Sequence, residues 1–216
     1  MVRDTTTATF SVAVFLQNSG KYMKTLMRVL AMFASLVLVH TAANAQDIEA
    51  GKAKAQVCAS CHGADGNAVL PIYPNLAGQN WRYLYIQLKD FKEGRRHNNT
   101  MSPLAGSLSR EDMINIANYF ASLPAKPNPF VADEGKIKLG KAKADETLCS
   151  MCHLGEFRGQ NEIPRVAGQQ YDYVMEQLRN FKSRTRNNDA GNMTSVAQTL
   201  SEDDMENLAH YIVSLR

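Results

Sequence analysis

Three things are scarce in this 216-residue chain: cysteine, a surplus of charge, and long apolar runs. There are four cysteines, and none lies outside two short motifs. The formal charge is only +3, and outside residues 1–45 the chain carries 20 basic and 20 acidic residues. A nucleic-acid binder would show a basic surplus, so that class of partner is excluded. The apolar run Leu30 to Val39 is ten residues long, whereas a helix crossing a bilayer needs roughly 20. No stretch alternates apolar and polar residues as a half-buried strand would. What remains, 44% hydrophobic and 21% charged residues, is the composition of an ordinary globular protein of one or two domains.

The first 45 residues stand apart. Lys21, Lys24 and Arg28 precede the apolar run, and Ala43-x-Ala45 follows it, the order of a cleavable export signal. Residues 1–22 hold a second apolar patch, Phe10 to Leu16, foreign to an ordinary signal, so Met23 and Met27 are alternative starts. Export predicts a periplasmic protein beginning at Gln46, in an oxidising compartment.

The cysteines read Cys58-Ala-Ser-Cys61-His62 and, 91 residues later, Cys149-Ser-Met-Cys152-His153. A thioredoxin-type redox pair would sit in a βαβ pattern, which is missing. A zinc site of two CxxC pairs wants them roughly 15–20 residues apart. Two separate disulfides leave the adjacent histidines without a purpose. Covalent haem attachment uses all three residues: two thiols form thioethers with the vinyl groups, and the imidazole binds iron. Two complete motifs predict two haem c groups.

The repetition runs beyond the motif. Gly51-Lys-Ala-Lys-Ala55 returns as Gly140-Lys-Ala-Lys-Ala144, and Pro74-Asn-Leu-Ala-Gly-Gln79 as Pro164-Arg-Val-Ala-Gly-Gln169. Leu108-Ser109 with Asp112-Met113 returns as Leu200-Ser201 with Asp204-Met205. Three prolines in Pro124-Ala-Lys-Pro-Asn-Pro129 favour an extended, semi-rigid connector between the copies. The resulting division is a targeting segment 1–45, a domain 46–123, a linker 124–135 and a domain 136–216. Each half is predicted all-α. A first helix runs from about Asp47 to Val57, and a middle helix carries Leu84, Leu88 and Phe91 on one face. Each last helix opens on a capping box, Ser109-x-x-Asp112 and Ser201-x-x-Asp204.

The sixth iron ligand decides between binding and shuttling. Met101 and Met193 each follow their motif histidine, by 39 and 40 residues, in a polar loop before the last helix. Among ten methionines, Met113 and Met205 lie on apolar helix faces as packing residues, Met175 has no counterpart, and Met151 sits between two cysteines. His97 and His210 also lack counterparts and read as surface or packing residues. The iron set is therefore His62 with Met101 and His153 with Met193.

CxxCH, then Pro-x-x-Ala-Gly-Gln, then a methionine and a Leu-Ser-x-x-Asp-Met helix, resembles the class I cytochromes c. In its duplication the chain resembles the dihaem cytochrome c4 group over residues 47–216. The resemblance implies two helical domains related by a pseudo-twofold, with haem edges approaching at their interface. It implies that the carbonyls of Pro74 and Pro164 accept the proton of the ligand histidines. It further implies periplasmic electron transfer between a respiratory donor and a terminal oxidase, with redox proteins as partners and peripheral membrane association through them. With both axial positions filled, the reading is not an enzyme. A dihaem peroxidase or thiosulfate-oxidising enzyme would need an open iron or a further cysteine. An electron-accepting subunit of a sulfur-compound dehydrogenase is the other alternative. The second copy departs at Leu154, where the first has Gly63, and in its longer loop before Met193.

Overall fold

The structure, a computed structural model, describes residues 47–216; the expected export segment lies outside the described residues. The first half has α1 (Ile48–Lys54), a 3-10 turn (Ala55–Cys58), α2 (Ala59–His62), α3 (Trp81–Lys92), α4 (Met101–Gly106) and α5 (Arg110–Ser122). The second has α6 (Glu134–Glu146), α7 (Cys149–His153), a 3-10 turn (Gly155–Phe157), α8 (Tyr171–Lys182), α9 (Asn192–Thr199) and α10 (Glu202–Ser214). Among the described residues there is no strand, only one isolated bridge between Gln160 and Ile163.

Side chains supply the helix starts. The Asp47 carboxylate accepts from Ala50 N and that of Asp133 from Lys136 N, both at 2.8 Å. Both expected capping boxes form: Ser109 Oγ accepts from Asp112 N, and Asp112 Oδ2 from Ser109 N, each at 3.0 Å. Ser201 and Asp204 repeat the pattern at 3.0 and 2.9 Å.

The first helix does not run unbroken to Val57 as its sequence suggests. It tightens after Lys54 into the 3-10 turn, where Ala59 N bonds Gln56 O, and then re-forms as α2. His62, the last residue of α2, is buried.

The repeated glycines have a steric cause. α1 crosses α5 at Gly51, where a Cβ would lie 2.2 Å from the Asn115 carbonyl oxygen. α6 crosses α10 at Gly140, where a Cβ would lie 2.0 Å from the Asn207 carbonyl oxygen. Only glycine lets these backbones approach so closely. Behind the crossings lie two cores. In the first half Leu84, Ile116 and Phe120 pack around Ala55 and Ala117. In the second, Phe157, Met175, Leu178, Met205 and Leu208 pack around Ala144 and Ala209.

The connector is extended, but it is fastened along its length. Asn67 donates to Pro124 O and accepts from Lys126 N, and Lys126 pairs with Asp65. Asn128 donates to Gln169 O at 3.1 Å, and the Phe130 ring stacks on Tyr171 with centroids 4.6 Å apart.

The halves meet through a duplicated polar lattice. Arg96 lies over the Phe91 ring and donates to Gln87, Tyr173 and Gln177 at 2.8–3.0 Å. Its counterpart Arg186 lies over Phe181 and donates to Gln177, Gln87 and Tyr83 at 2.7, 3.1 and 3.2 Å. Asn188 adds a bond to buried Asp90 at 2.6 Å, and Arg95 pairs with that carboxylate at 2.7 Å. Buried charge is tolerated only when paired and hydrogen-bonded. Among the described residues no buried side-chain nitrogen or oxygen lacks a partner.

Candidate functional site

Cys58 closes the first 3-10 turn, with Cys61 and His62 on α2; α7 carries Cys149, Cys152 and His153. The spacings of three and four residues place the second cysteine and the histidine each about one turn beyond the first cysteine. None of the four cysteines is in a disulfide, so the two-disulfide alternative has no support in the structure. Burial raises the thiol pKa of Cys58 and of Cys149. Among the described residues no cluster of three or more His, Cys, Asp or Glu side chains is arranged to hold a metal ion, as zinc would require.

The histidines are the best-defined part of the site. His62 and His153 are 6% and 9% exposed, and each places Nδ1 2.9 Å from a proline carbonyl, Pro74 O and Pro164 O. A carbonyl only accepts, so Nδ1 carries the proton and Nε2 keeps its lone pair. Burial lowers both imidazole pKa values, while the proline bond pulls the other way. A neutral, oriented imidazole with a free Nε2 fits iron ligation. The proline loops are held alike. Gly66 O accepts from Leu76 N and Ala77 N at 2.7 and 2.9 Å; Phe157 O accepts from Val166 N and Ala167 N at 2.9 and 3.2 Å.

After the motif the copies diverge. Gly63 takes φ 81°, ψ 148°, a conformation natural to glycine. Leu154 occupies the matching place at φ 62°, ψ 177°, a region nearly confined to glycine and therefore strained.

The two loop methionines need a correction. Met101 is the first residue of α4 and Met193 the second of α9, so both sit in the first turn of a short helix rather than in open loop. Polar neighbours build that turn. Asn98 Oδ1 accepts from Thr100 N and Met101 N at 2.9 Å, and Asp189 Oδ2 accepts from Thr194 N at 2.7 Å. Both side chains are half-buried, and Met193 packs on the second core. The competing methionines behave otherwise: Met113, Met175 and Met205 are buried in cores, and Met151 is 71% exposed. His97 is exposed. His210 is a packing residue whose Nδ1 accepts from Asp133 N at 3.0 Å and whose ring meets Phe130 and Tyr171 edge-on.

Sequence reasoning missed the lattice between the halves. Its signal was present: Gln79, Tyr83, Gln87 and Arg96 recur as Gln169, Tyr173, Gln177 and Arg186, each 90 residues on. Polar residues that repeat in a duplicated chain can meet their own counterparts across a pseudo-twofold.

The cytochrome c family model matches residues 48–124 and again residues 137–216. Over 196 residues the chain is 38% identical to cytochrome c4 of Pseudomonas aeruginosa, covering 87% of this chain and 98% of that protein. It is 33% identical over 175 residues to a thiosulfate dehydrogenase electron acceptor of Stutzerimonas stutzeri, covering 74% of this chain and 80% of that one. Its fold matches the crystal structure of reduced cytochrome c4 from Pseudomonas stutzeri with a TM-score of 0.75 at 36% identity, over 80% of this chain and 100% of the other. Two complete CxxCH motifs, each with a buried, carbonyl-bonded histidine, thus agree with kinship across nearly the whole described chain: the protein belongs to the cytochrome c4 family, as an all-α dihaem electron-transfer protein with two covalently bound haem c groups and redox proteins as partners.

Proposed function

We propose that Cys58 and Cys61 would hold one haem by thioethers, with His62 Nε2 and the Met101 sulfur as iron ligands. Cys149, Cys152, His153 and Met193 would do the same in the second half. The duplicated histidine–proline contact, 2.9 Å in both halves, is the observation that carries this reading. Bound there, the group supplies a one-electron couple. Pro74 and Pro164 fix ring orientation and tautomer and strengthen the imidazole as a donor. The thioethers of Met101 and Met193 are soft neutral donors that favour reduced iron and raise the potential. With His62 and Met101, and His153 and Met193, all serving as iron ligands, the chain would carry electrons without transforming a molecule.

The physiological reading is a periplasmic shuttle between a respiratory donor and a terminal oxidase. Export uses residues 1–45, and the mature protein consists of domains 46–123 and 136–216 joined by residues 124–135. A second reading has observations of its own. Two relatives, 33% and 31% identical, are named thiosulfate dehydrogenase electron acceptors, so the donor would be a sulfur-compound dehydrogenase. Stopped-flow mixing with each donor class separates the two.

The ligand assignment is tested in the ferric holoprotein by the weak near-infrared sulfur-to-iron band. Met101→His and Met193→His should each remove half its intensity, keep a low-spin haem and lower one potential. A full band in either variant rejects that methionine.

A further inference from the structure

We infer that Gln79 and Gln169 are crossed positioning residues, each setting the hydrogen-bond strength at the axial histidine of the opposite half. This rests on the proposed roles of His62 and His153 as iron ligands.

Gln169 Oε1 accepts from Asn75 N at 2.7 Å, and its Nε2 donates to Asn75 O at 3.0 Å. Gln79 makes the same pair to Arg165: Oε1 accepts from Arg165 N at 2.7 Å and Nε2 donates to Arg165 O at 2.8 Å. Both glutamines are buried, at 6% and 7% exposure.

The Asn75 N–H belongs to the same peptide unit as the Pro74 carbonyl, and the Arg165 N–H to that of Pro164. One unbroken chain therefore runs from His62 Nδ1–H to Pro74 O, through the peptide to Asn75 N–H, and on to Gln169 Oε1. Its mirror runs from His153 Nδ1–H through Pro164 and Arg165 to Gln79 Oε1. A peptide whose N–H is bonded has a more negative carbonyl oxygen, because successive hydrogen bonds polarise one another. The proline carbonyl then draws harder on the imidazole proton, and the ring becomes a stronger donor that favours ferric iron. Each half thus holds down the potential of the other half's haem. Two halves moved apart would lose this influence while keeping every iron ligand.

A glutamine acting only as an interface fastener would have no such directed effect, and this separates the two roles. In the reduced holoprotein, Gln169→Leu should move the His62 Nδ1–H proton resonance upfield and raise the midpoint potential of that haem. His153 and its haem should stay near wild type. Gln79→Leu should produce the reverse assignment. Movement confined to the glutamine's own half, equal movement in both halves, or no movement overturns the inference. Gln169→Glu keeps the acceptor and adds charge, so it should leave the His62 resonance in place or move it downfield; an upfield move overturns the inference even where the Leu variant fails to fold. A wild type without axial histidine and methionine signals overturns the ligand reading, and this inference with it. Unmoved resonances in a protein showing both ligands overturn only the crossed role.

Discussion

Gly140→Ala places one methyl group at the closest helix crossing of the second half. The new Cβ would meet Asn207 O at 2.0 Å, Asn207 C at 2.5 Å and Tyr211 Cβ at 2.8 Å. Carbon atoms pack best at about 3.5–4.0 Å, so α6 and α10 must separate by about 1 Å or more. Two of the three obstructing atoms are backbone and cannot rotate away. Forcing extra volume into packed structure costs about 1–3 kcal/mol, and the separation also loosens contacts along the crossing. Against this, alanine gains about 1 kcal/mol over glycine inside a helix. The clash should win, leaving a net loss of about 1 kcal/mol. Gly106, in α4, is the control: a Cβ there meets nothing within 4 Å, and Gly106→Ala should gain about 0.5 kcal/mol. Urea unfolding of the holoprotein followed by far-ultraviolet circular dichroism measures both. A Gly140→Ala protein as stable as wild type, or more so, would show that the crossing is not close-packed and that the repeated glycine has another cause.

Two further outcomes concern the copies' differences and likenesses. Leu154→Gly should stabilise the second half by about 1 kcal/mol in thermal unfolding, since relief of strain at φ 62° exceeds the entropy glycine adds to the unfolded chain; a loss would mean that the leucine side chain contributes more than its backbone costs. Ser201→Ala should cost about 1 kcal/mol by removing the cap of α10. The bonds from Ser109 and Ser201 hold the Asp112 and Asp204 carboxyls below their ordinary pKa. Their contribution is therefore complete above the ordinary carboxylate range and lost as pH falls through the depressed values, so melting temperature should fall in acid, and less steeply in Ser201→Ala.

The features legible in the sequence were those carried by local chemistry or by repetition. Ser109 and Ser201 announced their helices because a capping box is a four-residue event. The spacing of CxxCH is itself the chemistry. Met101 and Met193 stood out through repeat symmetry, although their helical setting did not show, because Asn98 and Asp189 build those turns with side-chain bonds that periodicity cannot reveal. The break after Lys54 left no residue signature, since Ala55, Gln56 and Val57 suit an unbroken helix equally well. Gly51 and Gly140 were visible as repeats, but their purpose depends on a helix more than 60 residues away in each half. The crossed glutamines were the least legible: Gln79 and Gln169 had been read as motif positions, and only the pairing of the two halves shows that each serves the other's proline peptide.

The central claim, that the protein fills both axial positions of both irons, is tested most directly by carbon monoxide titration of the fully reduced native holoprotein. With Met101 and Met193 bound, the Soret spectrum should stay essentially unchanged at both haems. Ready formation of the carbon monoxide complex at either haem would reveal an open or labile iron, and would replace the electron shuttle with an enzyme at that centre.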